Sequence, residues 1–208
     1  MQILILACAF TCGFLIMTIE LLGGKILSPY FGGSVYVWGS IITVFMLALS
    51  IGYLLGGKLS LNNPNTRKYG IIFMLAALTV VPLTMGHVAV SEWVFDFTED
   101  PRYGSLLAST ILFLIPTIIL GMIAPYSVRL LVRTTHSSGQ TAGFLYFVST
   151  LGSAGGTLAT SFYLVLWFKI DHILYGSALI LFTIGVIAFF FPQPPLSART
   201  VSTNEKAE

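Results

Sequence analysis

Six apolar runs, each long enough to form a membrane-crossing helix, follow one another along this chain with only short polar stretches between them. A helix rises about 1.5 Å per residue, so roughly 20 apolar residues cross a hydrocarbon layer of about 30 Å. The runs extend from about Ile3 to Leu22, Tyr36 to Gly57, Gly70 to Val90, Ser105 to Leu131, Gly143 to Phe168, and Ile173 to Phe191. Only 9% of the residues are charged and 56% are hydrophobic, whereas a soluble domain is about 25% charged. A soluble fold has too little interior to hide this much apolar surface. The expectation is an all-α fold, a polytopic bundle of six transmembrane helices over residues 1–192, followed by a disordered cytoplasmic tail at 193–208. The Ile5-Leu6-Ala7-Cys8 stretch lacks a preceding positive charge and a full apolar lead, so the first run reads as a retained span.

The basic residues give a direction. Lys58, Arg67, Lys68, Arg129, Arg133, Arg199 and Lys206 fall on one side, while Lys25, Arg102 and Lys169 fall on the other. The positive-inside bias then places both termini in the cytoplasm, in a plasma (bacterial inner) membrane. The opposite side also holds Glu92, Asp96, Glu99, Asp100 and Asp171, and Glu92 to Gly104 reads as an acidic loop. The scattered cations form no patch of the kind that binds nucleic acid.

Glu20 is the one carboxylate in the first apolar run, and an ionisable group in lipid marks a functional candidate. Two readings stand. One is an interfacial, hydrated carboxylate paired with nearby Lys25. The other is a carboxylate facing a polar cavity that binds a cation or holds a helix junction. Lys25 to Ser34 is expected to leave the helix and lie along the interface, because Pro29 disfavours helix at Ser28 and Gly32-Gly33 permit a turn. Tyr30, Phe31, Tyr36 and Trp38 fit an aromatic belt there.

Gly52 and Gly56, and Gly152 and Gly156, share the four-residue spacing that lets another helix approach closely; lining a solute path is the other reading. Pro82, Pro116 and Pro125 fall inside apparent spans, where prolines kink helices or mark the broken helices of binding sites. His87 with Glu92 has the makings of a proton relay, against an ordinary interfacial histidine, and Arg129 reads as a cytoplasmic anchor. Cys8 and Cys12 lie on one helix face and read as buried free thiols. No nucleophile and base set, metal-ligand spacing or cofactor turn is apparent, so no catalytic residue, metal or cofactor is expected.

Three stretches carry a family resemblance: Glu20-Leu21-Leu22-Gly23-Gly24-Lys25-Ile26-Leu27-Ser28-Pro29-Tyr30-Phe31-Gly32-Gly33-Ser34, then Tyr36-Val37-Trp38-Gly39-Ser40, then Gly52 to Leu59. They resemble the membrane domain of spermidine synthase-like integral membrane proteins. Gly121-Met122-Ile123-Ala124-Pro125-Tyr126 and the glycines at 143 and 152–156 are similar to later parts of that domain. The resemblance implies a bundle like half of a major-facilitator fold, often followed by a cytoplasmic aminopropyltransferase-like domain. No counterpart of that catalytic domain follows the sixth run here. Two functions follow as expectations. The first is a non-catalytic membrane subunit docking a separately encoded soluble aminopropyltransferase-like partner around Lys58, Arg67, Lys68 and Arg129. The second is a transporter of a small solute, a polyamine or another cation, acting as a homodimer.

Overall fold

The computed structural model describes residues 1–98, 100–132 and 138–191. Glu99, Arg133 and the tail expected at 193–208 lie outside the described residues. The described residues are all helical: α1 (Gln2–Phe31), α2 (Val35–Leu59), α3 (Thr66–Phe97), α4 (Pro101–Gly121), α5 (Ile123–Leu131), α6 (Ser138–Ala159), α7 (Val165–Trp167) and α8 (Ile170–Phe190). A π-helical turn, Thr160–Leu164, joins α6 to α7. Five traverses, α1, α2, α3, α4 with α5, and α8, are long and apolar enough to cross a membrane. The sixth is α6 with its continuation to Trp167, richer in glycine, serine and threonine. Large side chains such as Leu54, Leu78 and Leu179 stand about two-thirds exposed, as lipid permits and water does not.

Short polar signals end the helices. Gly32 adopts φ 79°, the left-handed position that glycine fills without strain, and its N–H donates to the Ser28 carbonyl. Asn65 caps α3 by accepting from the Lys68 N–H at 2.7 Å. Asp100 caps α4 by accepting from the Arg102 N–H, with Pro101 opening the helix. The chain breaks between α4 and α5 at Met122, where Pro125 supplies no N–H to the Gly121 carbonyl.

Several expectations are corrected. Lys25 to Phe31 is the last part of α1 and not a separate interfacial segment. Pro29 lies in the last turn of α1, where its missing N–H costs one hydrogen bond near the helix end. The acidic stretch is helical up to Phe97, and α4 begins at Pro101. Pro82 and Pro116 lie within continuous helices, and of the three prolines only Pro125 sits at a break.

The packing shows an internal repeat. α1 packs most extensively on α6, α2 on α4, and α3 on α8. Exchanging α1 with α4, α2 with α6, and α3 with α8 turns this set of pairs into itself. Glycines mark the same positions in both copies. Gly52 and Gly56 of α2 lie against the carbonyls of Ile118 and Met122. Gly152 and Gly156 of α6 lie against the carbonyls of Phe10 and Phe14. Gly121, three residues after Ile118, meets the Leu49 carbonyl; Gly13, three residues after Phe10, meets the Ser149 carbonyl. In the self-paired set, Gly70 of α3 faces Gly185 of α8. Each copy has three traverses, an odd number, so the second runs through the bundle inverted relative to the first. Without glycine at these points the backbones would be held apart by side chains, and the packing that drives helix association in lipid would be lost.

The end of the bundle where α1 begins and α8 stops, here the terminal end, is closed by a buried tyrosine pair. The Tyr69 hydroxyl lies 2.7 Å from Ser127 Oγ. The Tyr126 hydroxyl accepts from the Asn65 N–H at 3.1 Å. The two rings stack with centroids 5.8 Å apart.

A half-open polar cavity at the repeat junction

Residues of α1, α2, α4, α5 and α6 converge on a cavity of about 210 Å³. It lies where the two inverted units meet: Cys12 of α1 points its thiol at the Leu120 carbonyl of α4, 3.7 Å away, and both residues line the wall. Glu20 lines the cavity from α1, Tyr53 from α2, and Tyr146, Ser149, Thr150 and Ser153 from α6. Helical side chains lean towards the N-terminus of their helix. Because α1 and α2 run in opposite directions, Glu20 and Tyr53 lean towards each other. One side is uncovered: Tyr53 is 48% and Tyr146 52% exposed although both line the wall.

Among the described residues, none forms an ion pair or hydrogen bond with the Glu20 carboxylate. The expected pairing with Lys25 does not occur. Five residues on, Lys25 faces a different side of α1. It stands exposed on the wall of a separate pocket with Gly24, Ser28, Pro29 and Trp38. Trp38 packs its ring on Gly24, where an added Cβ would fall 2.6 Å from the ring. Ser153 Oγ donates within 3.3 Å to the carbonyls of Gly13 and Ser149, tying α6 to α1. The hydroxyls of Ser149 and Thr150 make no hydrogen bond among the described residues.

The remaining candidates lie elsewhere. His87 pairs with Asp171, Nε2 to Oδ1 2.8 Å, and not with Glu92. This hydrogen-bonded contact joins α3 to α8 at the end of the bundle opposite the termini. Asp171 is half-exposed, so replacing it with Asn is expected to lower stability by only about 0.2–1 kcal/mol, measured by unfolding in mixed micelles. Lys58, Arg67, Lys68 and Arg129 all fall at the terminal end of the bundle. Cys8 and Cys12 are buried free thiols.

Sequence reading missed Tyr53, Tyr146 and Thr150. Their signal was a polar group inside an apolar run beside the glycine faces, which becomes informative only once helix rotation is known. Fold and cavity together define a polytopic α-helical membrane bundle built from two inverted three-helix units. No family model matches the chain, and no curated protein or solved structure matches it either.

Proposed function

We propose that the chain is one half of a membrane solute pathway, with the cavity at the repeat junction as its binding site and a second copy covering the open side. The observation that carries this reading is Glu20, a carboxylate without a protein partner among the described residues, on the wall of a cavity between inverted repeats. Inverted repeats that meet at a polar site are the architecture of many transporters, as is a site set where a helix is broken, here at Met122. The exposed flanks of Tyr53 and Tyr146 support a dimer, because one copy leaves its own cavity unsealed. The bias of basic residues supports placing the terminal end in the cytoplasm. The resemblance to spermidine synthase-like membrane domains and to half a facilitator fold agrees with this reading.

The test is flux. Purified protein in liposomes is expected to pass at least one class of small solute in a saturable manner. Thr150→Trp, which fills the cavity from an exposed position on its wall, is expected to abolish that flux, while Met85→Trp on an exposed face leaves it intact. Correctly inserted protein that passes no cationic, neutral or anionic solute overturns the reading.

A second reading has its own observation. Lys58, Arg67, Lys68 and Arg129 are gathered at one end, which supports docking of an acidic face of a soluble aminopropyltransferase-like partner. Recovery from native membranes with a stoichiometric soluble protein, lost when these four residues are neutralised, is the expected result. Recovery of the chain without such a partner removes it.

A further inference from the structure

We propose that the cavity takes a small alkylammonium ion, with the cationic head at Glu20 and the alkyl body against Tyr53 and the aliphatic side chains of Ile16, Met17 and Leu49; this rests on the solute-pathway reading and names its substrate class. Among the described residues the wall carries one carboxylate and no lysine, arginine or histidine. An ionised carboxylate inside a membrane span is costly unless a counter-charge reaches it. Among the described residues the protein supplies none, so a mobile cation is the natural complement.

The rest of the wall decides what kind of cation fits. A bare metal ion asks for several converging oxygens. This wall offers a single carboxylate, and much of what surrounds it is aliphatic, with Ile16, Met17, Leu49 and Leu120 on the lining. An ammonium group attached to carbon suits that mixture. Its charge is attracted to the carboxylate, and its methyl or methylene groups occupy the apolar part. The hydroxyls of Ser149 and Thr150, without a hydrogen bond among the described residues, offer further contacts to a ligand that bears a hydroxyl. Size sets the last limit. A cavity of about 210 Å³ has room for a small organic ion and not for a large one.

The experiment is calorimetric titration of the full chain in lipid nanodiscs with choline, ethanolammonium, butylammonium and tetramethylammonium. Sodium, acetate and butanol serve as comparison probes. Saturable binding is expected for the alkylammonium ions and not for the comparison probes. Glu20→Gln, nearly the same shape and breaking no protein contact among the described residues, is expected to bind roughly tenfold or more weakly. Tyr53→Leu, which removes the aromatic ring from the wall, is expected to weaken binding several-fold. Equal binding by Glu20→Gln, or equal response to sodium or butanol, overturns the proposal. The two readings fail separately. If a neutral or anionic solute binds or crosses and Thr150→Trp blocks it, the pathway stands and the ammonium class falls. If no probe binds and none crosses, both fall.

Discussion

Gly152→Ala and Gly52→Ala are each expected to destabilise the bundle by about 1–3 kcal/mol, the usual cost of forcing atoms into a filled core. Each places a Cβ onto the backbone carbonyl of a facing helix, Phe10 for the first and Ile118 for the second. A backbone cannot swing aside as a flexible side chain can, so the helices must separate and lose contact along their length. The internal repeat adds a quantitative demand. The two positions are equivalent under the exchange of units, so their costs are expected to agree to within the scatter set by local neighbours. Gly57 and Gly143 provide the control. Both are helical, and an added Cβ would meet nothing within 4 Å. Alanine there is expected to be neutral or to stabilise by up to about 1 kcal/mol through helix propensity. Equilibrium unfolding in mixed micelles measures all four. Equal effects at all four positions contradict the packing described above.

The second large effect is expected at Tyr69. Its side chain is 1% exposed, stacked on Tyr126 and in edge contact with Phe73, ring centroids 5.1 Å apart. Tyr69→Ala leaves a ring-sized void between α3 and α5, and truncating a buried aromatic costs about 3–5 kcal/mol because the surroundings relax only in part. Tyr69→Phe separates the ring from its hydroxyl. It keeps the packing and removes one bond to Ser127. Ser127 Oγ still donates to the Ile123 carbonyl at 2.7 Å, and the only other partner the hydroxyl gives up is the buried Cys8 thiol, a weak hydrogen-bonding group. The expected cost is about 0.5–1.5 kcal/mol. The same unfolding assay distinguishes the two, and a Tyr69→Ala cost below that of Tyr69→Phe contradicts the assignment of this residue to the core.

The apolar runs made the helical class legible, because a bilayer demands about 20 apolar residues per crossing whatever the tertiary arrangement. The ends were harder to read. Pro29 and Gly32-Gly33 look like breakers, yet α1 continues to Phe31, since a proline in the last turn gives up one bond and only two helical residues follow it. The acidic residues Glu92 and Asp96 resemble a loop by composition, but they occupy an end of α3 that extends past its apolar part. Of the cavity, Glu20 was legible because it was chemically out of place in its run. Tyr53, Tyr146 and Thr150 were not, because a tyrosine facing lipid and one facing a cavity look alike until the rotation of each helix is known. Lys25 near Glu20 in sequence suggested a pair, and the helical angle between them decides otherwise.

The pairing of the helices bears on how the chain is made. Every major partnership, α1 with α6, α2 with α4 and α3 with α8, joins an early helix to a late one. The first three traverses leave the ribosome before the residues they will grip exist. Their glycine faces must wait against lipid while the second half is synthesised. The two halves are therefore not separable folding modules, and the bundle closes only as α8, the last partner, arrives beside α3.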